Sequence, residues 1–180
     1  MRWFASDLHL GHENIIGLAD RPFSSIDKMN STLTFNFLSV MRRGDLLYLL
    51  GDTFLDKKVG GAFLRAVRDL GVRIHFLKGN HDGVSTRWLC DNGCKTVDTI
   101  NDVKVDGQKI TLCHFPMVSW NFSREGSWHL HGHWHVNTPR KEMKGKILNV
   151  NVEFHDFYPW SFDEVKTHMD GCSNNWDYTV

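Results

Sequence analysis

The sequence predicts a layered α/β sandwich, a single domain over residues 1–169 with a tail over 170–180. Three observations predict it. In the first half, short wholly apolar runs alternate with segments whose apolar residues recur at helical spacing. In the second half the runs are all strand-like and closely spaced. Small polar clusters recur directly after predicted strands, where open α/β sheets place their sites.

The elements follow in order. Residues 3–6 form a short apolar run ending in a polar loop, which reads as a buried first strand. Asp27 is placed to cap a helix reaching about residue 42, with Leu33, Phe37, Val40 and Met41 on one face. Residues 45–50 (DLLYLL) make a second buried strand stopped by Gly51. A helix over 62–70 ends at Gly71, and 72–77 is a third strand. Residues 84–92 suit a short helix. Short strands are expected at 96–100, 103–105, 109–113, 127–131 and 146–150, with Val105-Asp106-Gly107 as a turn.

Composition narrows the function classes. Lysine plus arginine and aspartate plus glutamate each number 21, so the net charge is zero. Nothing steers such a chain to long nucleic acid or an anionic membrane. No apolar run approaches membrane-spanning length, so no membrane partner is expected. The sequence enters motif residues at once, without a signal peptide. Cys90, Cys94, Cys113 and Cys172 read as free thiols of a reducing cytosol, and the expected location is cytoplasmic. Oligomeric state is not readable.

Histidine is the unusual component, with eleven residues, four of them between His129 and His135. Five polar clusters stand out: Asp7-Leu8-His9, Gly51-Asp52, Gly79-Asn80-His81-Asp82, Cys113-His114 and Gly132-His133-Trp134-His135. In extended chain alternate side chains share a side, so Asp7 can face one point with His9, and His133 with His135. Carboxylate, imidazole and amide oxygen suit first-row divalent metals. Asp7, His9, Asp52, Asn80, His114, His133 and His135 are more donors than one ion with an open position needs, and they suit a pair sharing a carboxylate. Taken singly, each has a plainer reading: a turn aspartate, a left-handed asparagine, a packed core histidine. Those readings must all hold at five places in order, and the joint coincidence is improbable. His75, His155 and His168 remain structural or surface histidines, and His129 and His131 either support the donors or pack.

In that order the clusters SDLHLGH, LGD, GNHD, LCH and HGHWH resemble the calcineurin-like metallophosphoesterase superfamily, from Asp7 to His135. Residues 6–16 (SDLHLGHENII) and the Arg21-Pro22-Phe23 segment resemble small single-domain bacterial and bacteriophage members. The resemblance implies an α/β/β/α sandwich of two mixed sheets flanked by helices. It implies a first metal on Asp7, His9 and His135, a second on Asn80, His114 and His133, and Asp52 bridging them. The two ions would be divalent transition metals, manganese first, with iron, nickel, cobalt or zinc as alternatives. His81 would face the substrate as proton donor or charge stabiliser, with Asp82 orienting it. His12 and Arg21 are candidate substrate contacts, the latter one of three candidate phosphate-gripping arginines with Arg87 and Arg124.

The function so implied is hydrolysis of small or nucleotide-like phosphodiesters by a metal-bridging hydroxide. Phosphomonoesterase or nucleotidase activity and a non-catalytic metal-binding scaffold are the alternatives. An intact donor set with His81 present favours the enzyme over the scaffold.

Overall fold

The computed structural model describes residues 1–138 and 143–173; of the tail expected from residue 170, positions 174–180 lie outside the described residues. Two mixed sheets lie face to face, with helices against the outer side of the first. The first sheet has the order β4-β3-β2-β1-β9, built from β1 (Arg2–Ala5), β2 (Leu46–Leu50), β3 (Arg73–Leu77), β4 (Cys94–Asp98) and β9 (Trp160–Ser161). Its first four strands run parallel and β9 antiparallel to β1. The second sheet has the order β5-β6-β7-β8, from β5 (Ile100–Val105), β6 (Gln108–Cys113), β7 (Trp128–His131) and β8 (Ile147–Asn149). A hairpin pairs β5 with β6, and β6, β7 and β8 run parallel.

The unbroken apolar character of DLLYLL has a direct cause: both faces of β2 are buried. Leu47 and Leu49 join the core beneath the helices, whereas Tyr48 and Leu50 join the core between the sheets. The outer core is closed by α2 (Ile26–Val40), through Met29, Leu33 and Phe37, and by α3 (Lys57–Asp69), through Phe63, Leu64 and Val67. Phe37 and Phe63 meet edge to face at 5.4 Å. The inner core holds Phe4, Leu77, Ile110, Leu112, Leu130 and Leu148, closed at one side by Phe162, Val165 and Met169 of α5 (Phe162–Asp170).

Several boundaries differ from expectation. Ser25, not Asp27, caps α2, its hydroxyl accepting from the Lys28 amide, and Asp27 instead complements the first turn. The third helix starts at Lys57 rather than 62, capped by Asp56 through the amides of Lys58 and Val59. Gly60 and Gly61 made that stretch read as loop. Gly60 is there for packing, since a Cβ would stand 2.2 Å from Cγ of Phe54. The break between the strands expected at 96–100 and 103–105 falls at Thr99, where β4 of the first sheet gives way to β5 of the second. The short α1 (Ile15–Leu18) and α5 carried no expectation, although Ser161 and Glu164 form a capping box in which each satisfies the other's backbone. Between α3 and β4 lies α4 (Thr86–Asp91). No helix among the described residues is long and apolar enough to cross a membrane.

Candidate metal centre

All five polar clusters follow the C-terminal ends of strands: β1, β2, β3, β6 and β7. The loop after β1 runs beside the loop after β2, the amides of Asp7, His9 and Leu10 donating to the carbonyls of Gly51, Asp52 and Thr53 at 3.0 Å. The convergence of Asp7 and His9 does not come from extended-chain alternation. Both residues are left-handed, with φ of 57° and 52°, and Asp52 and His133 are left-handed too, at 50° and 69°. Four non-glycine donors in that sparsely populated region amount to strain concentrated at one site. Close packing completes the arrangement: a Cβ at Gly79 would meet Oδ1 of Asp52 at 2.2 Å.

Two groups of ligand-type atoms result. Asp7, His9 and His135 form one, and Asp52, His114 and His133 the other, each with its atoms within 4.8 Å of one another. In the first, Nε2 of His9 and Nε2 of His135 each lie 3.9 Å from Oδ1 of Asp7. Asp7 also accepts the His133 amide, which ties the first cluster to the fifth. In the second, Nε2 of His114 lies 3.3 Å from Oδ2 of Asp52 and 3.1 Å from Oδ1 of Asn80. The Asn80 amide oxygen therefore belongs with that group.

These residues fit metal ions on the chemistry of their donors. Nδ1 of His114 lies 2.8 Å from the Leu50 carbonyl, which can only accept, so that nitrogen carries the proton. Its Nε2 lone pair then confronts a carboxylate and an amide oxygen unless a positive charge, a proton or a metal ion, sits among them. In the first group, Nε2 of His9 is buried with no hydrogen-bond partner. Burial, with the nearby Arg21 charge, pushes the His9 imidazole down to about 2, so it stays neutral and able to ligate. Burial pushes Asp7 up to about 6, the cost of a carboxylate at 0% exposure without a cation. For Asp52, burial works upward, but the hydrogen bond and charge of His114 prevail and bring it to about 2.

His81 lies apart from the donors. Its side chain is 47% exposed, its Nε2 is 4.0 Å from Oδ2 of Asp52, and its ring stands among those of His9 and His12. Asp82 does not orient it. The Asp82 carboxylate points inward and accepts the amides of Asp52 at 2.7 Å, Gly79 at 2.8 Å and Thr53 at 3.2 Å. Adjacent residues of this tight turn project oppositely, so the imidazole faces out and the carboxylate in.

One further expectation needs correcting. Arg21 does not face a substrate phosphate. Its side chain is 0% exposed and pairs with Glu153, and its guanidinium donates to the carbonyls of Asp7 and Leu8 behind the donors. His12 stands half-buried at the edge of the centre, its ring 6.3 Å from that of His81, and its Nδ1 contacts Nδ1 of His9 at 3.2 Å, so it also supports a donor residue. Arg87 is a surface residue 4.0 Å from Asp91. His129 and His131 pack on the outer face of the second sheet against Trp120 and Trp134 respectively. Glu153 was missed by sequence reasoning. It accepts Nδ1 of His135 at 2.7 Å and the Val136 amide at 3.1 Å.

No family model matches the chain. The uncharacterized protein MJ1445 of Methanocaldococcus jannaschii is 34% identical over 167 residues, covering 91% of this chain and 88% of that protein. The gene 66 protein of Mycobacterium phage L5 is 28% identical over 163 residues, covering 74% of this chain and 76% of that protein. The crystal structure of AQ665 from Aquifex aeolicus, a protein of unknown function, superposes with a TM-score of 0.72 at 25% identity, covering 93% of this chain and 98% of that one. The archaeal relative matches closely enough, over enough of both chains, to place the two in one family.

Proposed function

We propose that the chain is a metallophosphoesterase of the calcineurin-like superfamily that its motifs resemble, and that it hydrolyses phosphate esters using two divalent transition metal ions. Small or nucleotide-like phosphodiesters are the proposed substrates, with phosphomonoesters second. The observation that carries the reading is the pair of donor groups brought to one edge of the two sheets. Asp7, His9 and His135 would hold one ion, Asn80, His114 and His133 the other, and Asp52 would lie between them. Manganese is the first choice, and iron, nickel, cobalt and zinc suit the same oxygen and imidazole donors.

Bound there, such ions supply an acidified water and positive charge opposite phosphoryl oxygens. The chain's own residues do the rest. With ions bound, the ligating imidazoles would keep their lone pairs directed inward. Asp82 fixes the turns that carry Asp52 and Asn80 through backbone amides. The exposed ring of His81 is free to meet the leaving oxygen, as a general acid or as a stabiliser of its charge.

The test is turnover of an aryl phosphodiester, a cyclic nucleotide, a dinucleotide and an aryl phosphomonoester, with each metal in turn and with chelator. Metal-dependent hydrolysis, faster on diesters, with two ions bound at saturation is expected. Full activity in chelator would overturn the metal reading, and full activity with one ion would overturn the paired one.

A further inference from the structure

We propose that Glu153, held by its buried ion pair with Arg21, is a positioning residue that sets the tautomer of His135 and thereby the affinity of the Asp7–His9–His135 group for its ion. This rests on the metal-dependent reading above. The Glu153 carboxylate is 2% exposed, and its Oε1 receives three donors: Nδ1 of His135 at 2.7 Å, and Nε and Nη2 of Arg21 at 2.9 and 2.7 Å. Its Oε2 receives the amide of Val136. The carboxylate therefore grips both the imidazole and the backbone that follows it.

The tautomer follows from what a carboxylate can do. An ionised carboxylate only accepts, so at 2.7 Å the His135 nitrogen must donate. The proton is held on Nδ1, and Nε2, facing Asp7, is left with its lone pair. A carboxylate behind a ligating imidazole in this way fixes ring orientation and raises its basicity.

Arg21 explains how the carboxylate stays charged out of water. Its guanidinium also donates to the carbonyls of Asp7 at 2.7 Å and Leu8 at 2.9 Å. One ion pair thus joins the backbone bearing Asp7 to the ring of His135, two motifs far apart in the sequence. A buried ion pair is poor value for stability alone, because desolvation consumes much of the attraction. Its place behind one donor group, with contacts to the Asp7 carbonyl, the His135 ring and the backbone beside each, points to the site.

The contrast with the second group sharpens this. There the corresponding nitrogen of His114 is held by a backbone carbonyl, which no side-chain substitution removes. Loss of Glu153 should therefore weaken one ion and spare the other.

The experiment uses the full chain. Manganese titration followed by electron paramagnetic resonance reads both affinities, and long-range proton–nitrogen spectra of the chelated protein read the His135 tautomer. In wild type the His135 proton should sit on Nδ1. In Glu153→Gln one manganese ion should bind about 10–100-fold more weakly, with the other unchanged, and the single tautomer should give way to a mixture. Packing loss alone would not move the tautomer. Because Glu153→Gln leaves Arg21 unpaired, the double variant Arg21→Met/Glu153→Gln removes both charges and should give the same selective loss. Unchanged manganese affinities and an unchanged tautomer in the variants would overturn the inference while leaving the phosphoesterase reading intact. A wild-type chain that binds none of manganese, iron, nickel, cobalt and zinc would overturn both. Should neither variant fold, a wild-type His135 protonated on Nε2 would overturn the inference by itself, and one protonated on Nδ1 would support it.

Discussion

Gly132 lies so close to the carboxylate of Asp7 that a Cβ at position 132 would stand 2.4 Å from its Oδ2. The same atom would meet Oγ of Ser6 at 2.4 Å. Gly132→Ala is therefore expected to displace Asp7 and weaken divalent-ion binding and turnover at least about tenfold, with an overpacking cost of about 1–3 kcal/mol. Circular dichroism should show the sheets intact. Gly17→Ala, where a Cβ meets nothing within 4 Å, is the control and should bind ions as wild type does. Equal ion binding by the two variants would mean that Asp7 is not held by this contact.

The Asp82 carboxylate accepts three backbone amides, and an asparagine there offers one oxygen and turns a donor toward donors. Asp82→Asn is expected to cost about 1–3 kcal/mol in denaturant unfolding. It should slow hydrolysis of aryl and alkyl esters by the same factor, because it acts through the position of Asp52 and Asn80. A loss confined to alkyl esters would return Asp82 to the role expected of it, orienting His81.

His81 carries the opposite expectation. Its ring is outside both donor groups and takes no hydrogen bond among the described residues. His81→Ala should keep the fold and both ions while losing about 10²–10⁴-fold in turnover. The loss should be larger for an alkoxide leaving group, which needs the proton, than for nitrophenolate, which leaves unaided. Loss of an ion would make His81 a ligand, and undiminished turnover would remove it from the mechanism.

The residues that come together in the two candidate groups were legible because chemistry restricts their types and strand ends restrict their places. Their geometry was less so. The spacing of Asp7 and His9 was read as alternation along extended chain, yet both are left-handed, a conformation that only their tertiary partners impose. Glu153 carried no motif at all. It reaches the site because the chain after β8 returns beside β1, where Ser6 bridges Asn151, and nothing local in Asn-Val-Asn-Val-Glu announces that meeting. Arg21 was noticed for its charge and placed on the wrong side of the donors, since sequence cannot say which way a lone arginine faces. The start of α3 was hidden by two glycines of which the first is needed by Phe54.

Asp7 also predicts how stability depends on pH without metal. Burial raises its folded pKa from 3.8 to about 6. A raised carboxyl contributes stability that is complete below its unfolded pKa and is lost as pH climbs through its folded one, because the folded state binds the extra proton. In chelator, wild type should therefore lose about 2 kcal/mol between pH 4 and pH 7 relative to Asp7→Asn, whose side chain stays neutral throughout. Urea midpoints at pH 4.5, 6 and 7.5 measure the gap, which should open in favour of asparagine. Saturating manganese should reverse the order at pH 7.5, because the carboxylate then gains a cation that asparagine binds poorly and ion binding adds to folded-state stability. A gap that stays constant with pH in chelator would mean that Asp7 does not bear an uncompensated buried charge. A gap that opens in chelator yet ignores manganese would mean that the charge is there but no ion is held against it.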